Sequence, residues 1–263
     1  MSKPSPASTC GALLPVLIAT ATLACRPESR PLPSHPAKAT AQELSRMLES
    51  AIQQNDLQGV QQALSGGANP NAPLPGEDWT PLARAVMKEN VNTVRILLAA
   101  GADPKRKVQP NNEAWPIVFL AASVDSPDVL REVVRAGADP NSRARLRGEI
   151  TPLGLAAHDG AVNSCGLLPE LGADVDAWNL WPDSVYGSET FRPGERRGRT
   201  ALMIAASRGH RDCVEQLLLR RADPGLRNER GENAADLVRE YRSPIPSILE
   251  ALHRPRVPAS RLR

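Results

Sequence analysis

Apolar residues recur along this chain in short clusters of fixed internal spacing. Val60 is followed by Ala63 and Leu64, Val94 by Leu97 and Leu98, Leu130 by Val133 and Val134, Cys165 by Leu167 and Leu168, and Val214 by Leu217 and Leu218. Spacings of three and four place such residues on one face of a helix, so each cluster predicts a helix with one buried stripe. Directly after each cluster comes a punctuating triplet. These are Gly67-Ala68-Asn69, Gly101-Ala102-Asp103, Gly137-Ala138-Asp139, Gly172-Ala173-Asp174 and the near copy Arg221-Ala222-Asp223, at intervals of 34, 36, 35 and 49. The glycine is expected in the left-handed conformation that stops a helix.

Downstream of four triplets a second short apolar helix is predicted. It is marked by Thr80-Pro81-Leu82, by Leu120-Ala121-Ala122, by Thr151-Pro152-Leu153-Gly154-Leu155-Ala156-Ala157 and by Thr200-Ala201-Leu202-Met203-Ile204-Ala205-Ala206. Thr caps a helix N-terminus, Pro at the first helical position loses no hydrogen bond, and paired Ala lets two helices approach closely. A period near 34 with a Thr-Pro-Leu opening resembles the ankyrin-repeat family, over roughly residues 41 to 254. The resemblance implies an all-α solenoid of stacked helix-turn-helix units joined by β-turn loops, with about five to six repeats.

Both ends need polar caps, because each repeat exposes an apolar face unless a neighbour covers it. Thr40-Ala41-Gln42-Glu43 has the form of a capping box opening a helix with Leu44, Met47, Leu48 and Ala51. At the other end, Ala234, Ala235, Leu237, Val238, Ile248, Leu249 and Leu252 suggest a truncated sixth repeat. Two departures from the pattern stand out. Pro169, in the last turn of a predicted helix, should kink or shorten it. Asp174 to Thr200 spans 26 residues where Asp223 to Asn233 spans 10, which places an insertion of about 16 residues in the loop at 175–199.

That insertion concentrates the aromatic residues. The whole chain of 263 residues has two Phe, two Tyr and four Trp, so its core must be built from Ala, Leu and Val. Half of these rings, Trp178, Trp181, Tyr186 and Phe191, fall within 14 positions of the loop, beside Arg192, Arg196 and Arg197. Exposed Trp and Tyr with Arg nearby is the composition of an interface hot spot; the other account is that the rings close the loop's own small core. The neighbouring loops are basic: Lys105, Arg106 and Lys107 follow the second triplet, and Arg143, Arg145 and Arg147 the third, with Glu113 and Glu149 as the acids there. If these loops leave one edge of the solenoid, the charges line up with the aromatic insertion and suit an acidic partner surface or anionic lipid headgroups.

No catalytic constellation, metal-ligand spacing or phosphate loop is present in the pattern, so no enzyme activity and no cofactor is expected. His158 and His210 fall at turns between paired helices, and His35 and His253 lie outside any metal spacing. Cys165 and Cys213 replace apolar residues in their helices. Their offset of one place between repeats argues against a disulfide, although an oxidising compartment would permit one. With 32 basic and 29 acidic side chains, net +3 and interspersed, nucleic acid is not the expected partner.

The N-terminus has the layout of a targeting segment. Lys3 is the one charged side chain before an uncharged stretch from Cys10 to Ala24, too short to span a bilayer. Ala21-Thr22-Leu23-Ala24-Cys25 resembles a bacterial lipoprotein signal, with Thr22 standing where Leu is usual. The resemblance implies a signal peptide at 1–24, lipidation of Cys25, and a periplasmic or surface-facing location in the cell envelope. Arg26 after that Cys favours the outer membrane. Residues 25–40 contain Pro27, Pro31, Pro33 and Pro36 and form an extended spacer, and 255–263 form a basic tail. The expected function is a non-enzymatic protein-binding module that uses its concave face and loop tips. Two alternatives are an inhibitor or immunity-type protein acting on a secreted or toxic enzyme, and a cytoplasmic regulatory scaffold.

Overall fold

The structure is a computed structural model in which residues 40–74, 79–108, 115–144, 149–180, 198–240 and 246–253 are described. The expected signal peptide with Cys25, the Pro-rich spacer up to residue 39 and the basic tail lie outside these residues. Among the described residues twelve helices follow one another as six pairs. They are α1 (Ala41–Gln54) with α2 (Leu57–Ser65), α3 (Pro81–Met87) with α4 (Val91–Ala99), and α5 (Ile117–Ser123) with α6 (Pro127–Arg135). Then come α7 (Pro152–Asp159) with α8 (Val162–Glu170), α9 (Ala201–Arg208) with α10 (Arg211–Leu219), and α11 (Ala234–Glu240) with α12 (Pro246–His253). First helices pack on first helices and second on second along the stack, so each pair covers the apolar face of the one before.

The local chemistry follows the sequence closely. Thr80, Thr151 and Thr200 each accept a hydrogen bond from the backbone three residues on, and Pro81 and Pro152 take the first helical turn. At the N-terminal end the Thr40 side chain and the Glu43 carboxylate satisfy each other's backbone N–H groups. The bonds from Thr40 hold the Glu43 carboxyl below its ordinary value. Gly67, Gly101, Gly137 and Gly172 all have positive φ, between 88° and 107°, and Arg221 adopts φ 69° in their place.

Pro169 does not shorten its helix. The helix α8 runs to Glu170 with nine residues, as do α2, α4, α6 and α10. In the final turn proline removes a single backbone bond, and the next repeat supports the turn: Arg220 Nε donates to Gly166 O at 2.9 Å and its guanidinium pairs with Glu170. Glu170 also meets Arg131 at 3.8 Å, so one carboxylate ties three successive repeats on the outer surface.

Among the described residues four two-residue strands form two antiparallel ladders. Strands β1 (Lys107–Val108) and β2 (Trp115–Pro116) close one loop, and β3 (Asn179–Leu180) and β4 (Gly198–Arg199) close the long insertion. Ala144 pairs with Ile150 around a third loop, and the Leu74 N–H donates to Trp79 O around a fourth. The loops are therefore fingers with hydrogen-bonded stems. Leu180 N–H reaches Glu149 O at 2.7 Å, which fastens the insertion's stem to the finger before it.

Candidate functional site: the loop edge

Each triplet continues into a tight turn whose backbone is fixed by its own side chain. Asn69, Asp103, Asp139, Asp174 and Asp223 each accept, through Oδ1, from the N–H two residues on, at 2.9 to 3.1 Å. The residue at that second position then bridges to the next repeat. Asn71 donates to Gly101 O at 2.8 Å and accepts from Asp103 N at 2.7 Å; Asn141 does the same with Gly172 O and Asp174 N, both at 2.8 Å. Asp176 keeps half of the bridge, accepting from Asp223 N at 2.9 Å. Lys105 occupies the equivalent position between the second and third repeats, where an ammonium cannot accept from Asp139 N.

Two residues further on, Lys107, Arg143, Trp178 and Arg227 share one register position in successive repeats. All four are exposed. Arg143 Nη1 donates to the backbone carbonyl of Trp178 at 3.0 Å, which ties these two positions of successive loops together. The Trp178 ring is 38% exposed, and its inner edge lies over Gly198, where an added Cβ would be 3.2 Å from Cε3. Trp178 is therefore braced by the stem and open on its outer side. Lys105 and Arg106 are exposed beside Lys107. Trp181, Tyr186, Phe191, Arg192, Arg145 and Arg147 lie outside the described residues, so only Trp178, Arg143, Lys105, Arg106 and Lys107 of the expected set are placed.

The edge is less uniformly basic than its loop tips suggest. Asp103, Asp139 and Asp174 stand exposed at the base of the same turns, each with an oxygen committed to its own backbone. Arg227 is drawn to Asp236 at 3.3 Å.

Sequence reasoning missed two aromatic members of this edge. Trp79 and Trp115 stand at the stems of the fingers at 75–78 and 109–114, each immediately before the first residue of a helix or its cap. Arg84 stacks 5.7 Å from the Trp79 ring centre, and Trp115 meets Phe119 edge-on with centres 6.4 Å apart. The buried Trp115 Nε1 has no hydrogen-bond partner among the described residues. The common position at finger stems was the available signal.

From Ile117 to Ala122, Pro152 to Ala157 and Ala201 to Ala206 every residue is buried in α5, α7 and α9, whereas Met47 of α1 and Met87 of α3 are exposed. Among the described residues no group of three His, Cys, Asp or Glu side chains is arranged to hold a metal ion. His210 and Arg208 both reach the carbonyl of His158, so this cluster ties the turn of one repeat to the next.

Stacked helix pairs with fingers along one edge define a solenoid of the interaction-scaffold class. The family model described as "Ankyrin repeats (3 copies)" matches residues 48–144 and 118–228, and the chain belongs to the ankyrin-repeat family. It is 39% identical to the 2-5A-dependent ribonuclease of Mus musculus over 87 residues, 33% of this chain and 12% of that protein. To the Homo sapiens 2-5A-dependent ribonuclease it is 36% identical over 95 residues, 36% of this chain and 12% of the other. The ankyrin repeat and SAM domain-containing protein 6 of Mus musculus is 34% identical over 128 residues, covering 43% and 13%. The matched part thus spans about an eighth of the length of these relatives. The solved human ASB11 ankyrin repeat domain superposes with a TM-score of 0.59 at 24% identity, covering 78% of this chain and 80% of that one, which concerns the fold alone.

Proposed function

We propose that this chain is a non-enzymatic protein-binding module that recognises an acidic surface through its loop edge. The supporting observation is the contact of Arg143 with the Trp178 carbonyl, which sets a partly exposed indole beside an exposed arginine of the preceding loop. A rigid aromatic flanked by Arg and Lys suits a partner with an apolar pocket rimmed by carboxylates. A secreted or toxic enzyme held at its active site has that chemistry, and such an enzyme encoded beside this gene would mark it as the partner.

The module works tethered at a bacterial envelope, facing the periplasm or the outside, through lipid on Cys25. Support comes from the sequence: a short uncharged stretch before Ala24-Cys25 and a Pro-rich spacer after it. The intact mass of the mature chain tests this part; retention of Met1 contradicts it. Binding is tested by crosslinking in cells at the native locus, comparing wild type with Trp178→Ala plus Arg143→Ala. A dominant partner lost from the variant while the thermal midpoint holds supports the edge, and an unchanged partner refutes it.

A further inference from the structure

Helices α8 and α10 pack side by side across the junction that carries the long insertion. The sequence offset between Cys165 and Cys213, which argued against their meeting, is what brings them together. Positions three and four of α4, α6, α8 and α10 are buried: Thr93 and Val94, Val129 and Leu130, Ser164 and Cys165, Cys213 and Val214. Stacked helices present opposite sides of this strip to each other, so the fourth position of one helix faces the third of the next. Cys165 Sγ lies 2.7 Å from Cys213 Sγ, and both side chains are fully buried. Heavy atoms without a covalent bond rest at about 3.5–4.0 Å, and a covalent sulfur pair at about 2.05 Å. Among the described residues neither thiol has another hydrogen-bond partner.

We infer that Cys165 and Cys213 are a cross-linking site and form a disulfide that staples the fourth repeat to the fifth. The oxidant is a donor disulfide, either a small-molecule disulfide or the active-site disulfide of an oxidoreductase. One protein thiolate attacks the donor, forming a mixed disulfide and releasing one donor thiolate. The second protein thiolate then attacks the protein sulfur of that mixed bond and releases the other. The two protein thiols lose two electrons and two protons, and the donor disulfide takes up both pairs as two thiols.

The folded chain resists this exchange. The contact with Cys213 and the surrounding burial push the Cys165 thiol well above its ordinary value, so thiolate is scarce, and no donor reaches a fully buried sulfur. The bridge therefore forms while the two repeats are still apart, during folding or local opening. Once made, it closes the chain over the insertion, at the junction where the repeat interval lengthens from 34–36 to 49 residues. Its chemistry is independent of the proposed partner and anchor; its persistence in a cell needs oxidising surroundings of the kind the export reading supplies.

The test uses the full chain, unfolded and reduced, then refolded in a mixture of oxidised and reduced glutathione. Remaining thiols are alkylated in acid denaturant and the peptides mapped. The expected product is a peptide pair joined through Cys165 and Cys213, lighter by two hydrogen atoms, with a thermal midpoint raised by roughly 5 °C or more over the reduced chain. That rise is absent from Cys165→Ala and Cys213→Ala. Quantitative alkylation of both cysteines after oxidative refolding, or bridges of either to Cys10 or Cys25 instead, overturns the inference. The peptide map decides the matter in the wild-type chain even if a variant folds poorly.

Discussion

The side-chain oxygen of Asn179 occupies the space that a Cβ on Gly154 would need, with only 2.1 Å between them. From there Oδ1 accepts from Thr151 N at 2.7 Å and Thr151 Oγ1 at 2.9 Å, while Nδ2 donates to Ala177 O at 3.0 Å and Arg199 O at 3.2 Å. One fully buried carboxamide thus joins the cap of α7 to both strands of the insertion's stem. The sister positions of Gly154 are Ala83, Phe119 and Met203, so the glycine is specific to the repeat that carries the insertion.

Asn179→Ala leaves two buried donors and two carbonyls short of a partner, and a loss of about 2–4 kcal/mol is expected. Gly154→Ala evicts the carboxamide and costs about 2–3 kcal/mol by the same route. Urea unfolding of the two variants and of the double variant checks this. The double variant should be well short of additive, because each change removes the same network. Additive losses would mean that the two positions act separately.

The bridge missing at Lys105 is repairable. Lys105→Asn supplies an acceptor for Asp139 N and a donor for Gly137 O, as Asn71 and Asn141 do for their own neighbours. It should stabilise the solenoid by about 0.5–1.5 kcal/mol, measured as a higher urea midpoint. Lys105→Ala separates this gain from loss of the charge and should give none of it. The same Lys105→Asn chain, if more stable yet weaker in partner binding, identifies the lysine as a charge kept for recognition.

Among the described residues Asn55, Glu89, Asp125 and Arg221 are non-glycine residues in the left-handed conformation, and two of them stand where sister repeats carry glycine. Glu89 turns between α3 and α4 at φ 55°, where Gly160 and Gly209 serve later repeats, and Arg221 stands where four repeats have Gly. Glu89→Gly and Arg221→Gly should each raise stability by about 0.5–1 kcal/mol. The sites are far apart and the gains should add. Thermal unfolding of the single and double variants reads the effect; no gain at either site would mean that their side chains hold contacts worth as much as the strain.

The periodic parts of this molecule were legible because each repeat states them again. The triplets, the Thr caps and the apolar spacing encode local events within a few residues, and the helices fall where those signals lie. Pairings between repeats were not legible. Asn179 and Gly154 are 25 positions apart and meet only because the stem folds back over α7. The Cys165 and Cys213 contact was missed because alignment of repeats compares like positions, whereas stacking brings unlike positions face to face. Pro169 misled because its cost was judged within one helix, and the support comes from Arg220 of the next. At the loop edge, the alignment of Arg143 with Trp178 followed from repeat geometry, while the aromatic contribution of Trp79 and Trp115 was hidden by their distance from the insertion.

In the proposed function the loop edge, and the insertion above all, carries recognition while the stem of the insertion carries structure. The direct measurement replaces residues 181–197 by an Asn-Gly turn that joins Leu180 to Gly198, which already pair across the stem, and keeps Trp178 and Asn179 in place. Crosslinking capture from the native locus and thermal unfolding are then compared with wild type. A dominant partner lost from the shortened chain, with an unchanged unfolding midpoint, is expected. The same partner captured from both chains would contradict a role for the insertion and would leave recognition to the edge residues that remain, Trp178, Arg143 and Lys105 to Lys107, or to the helices.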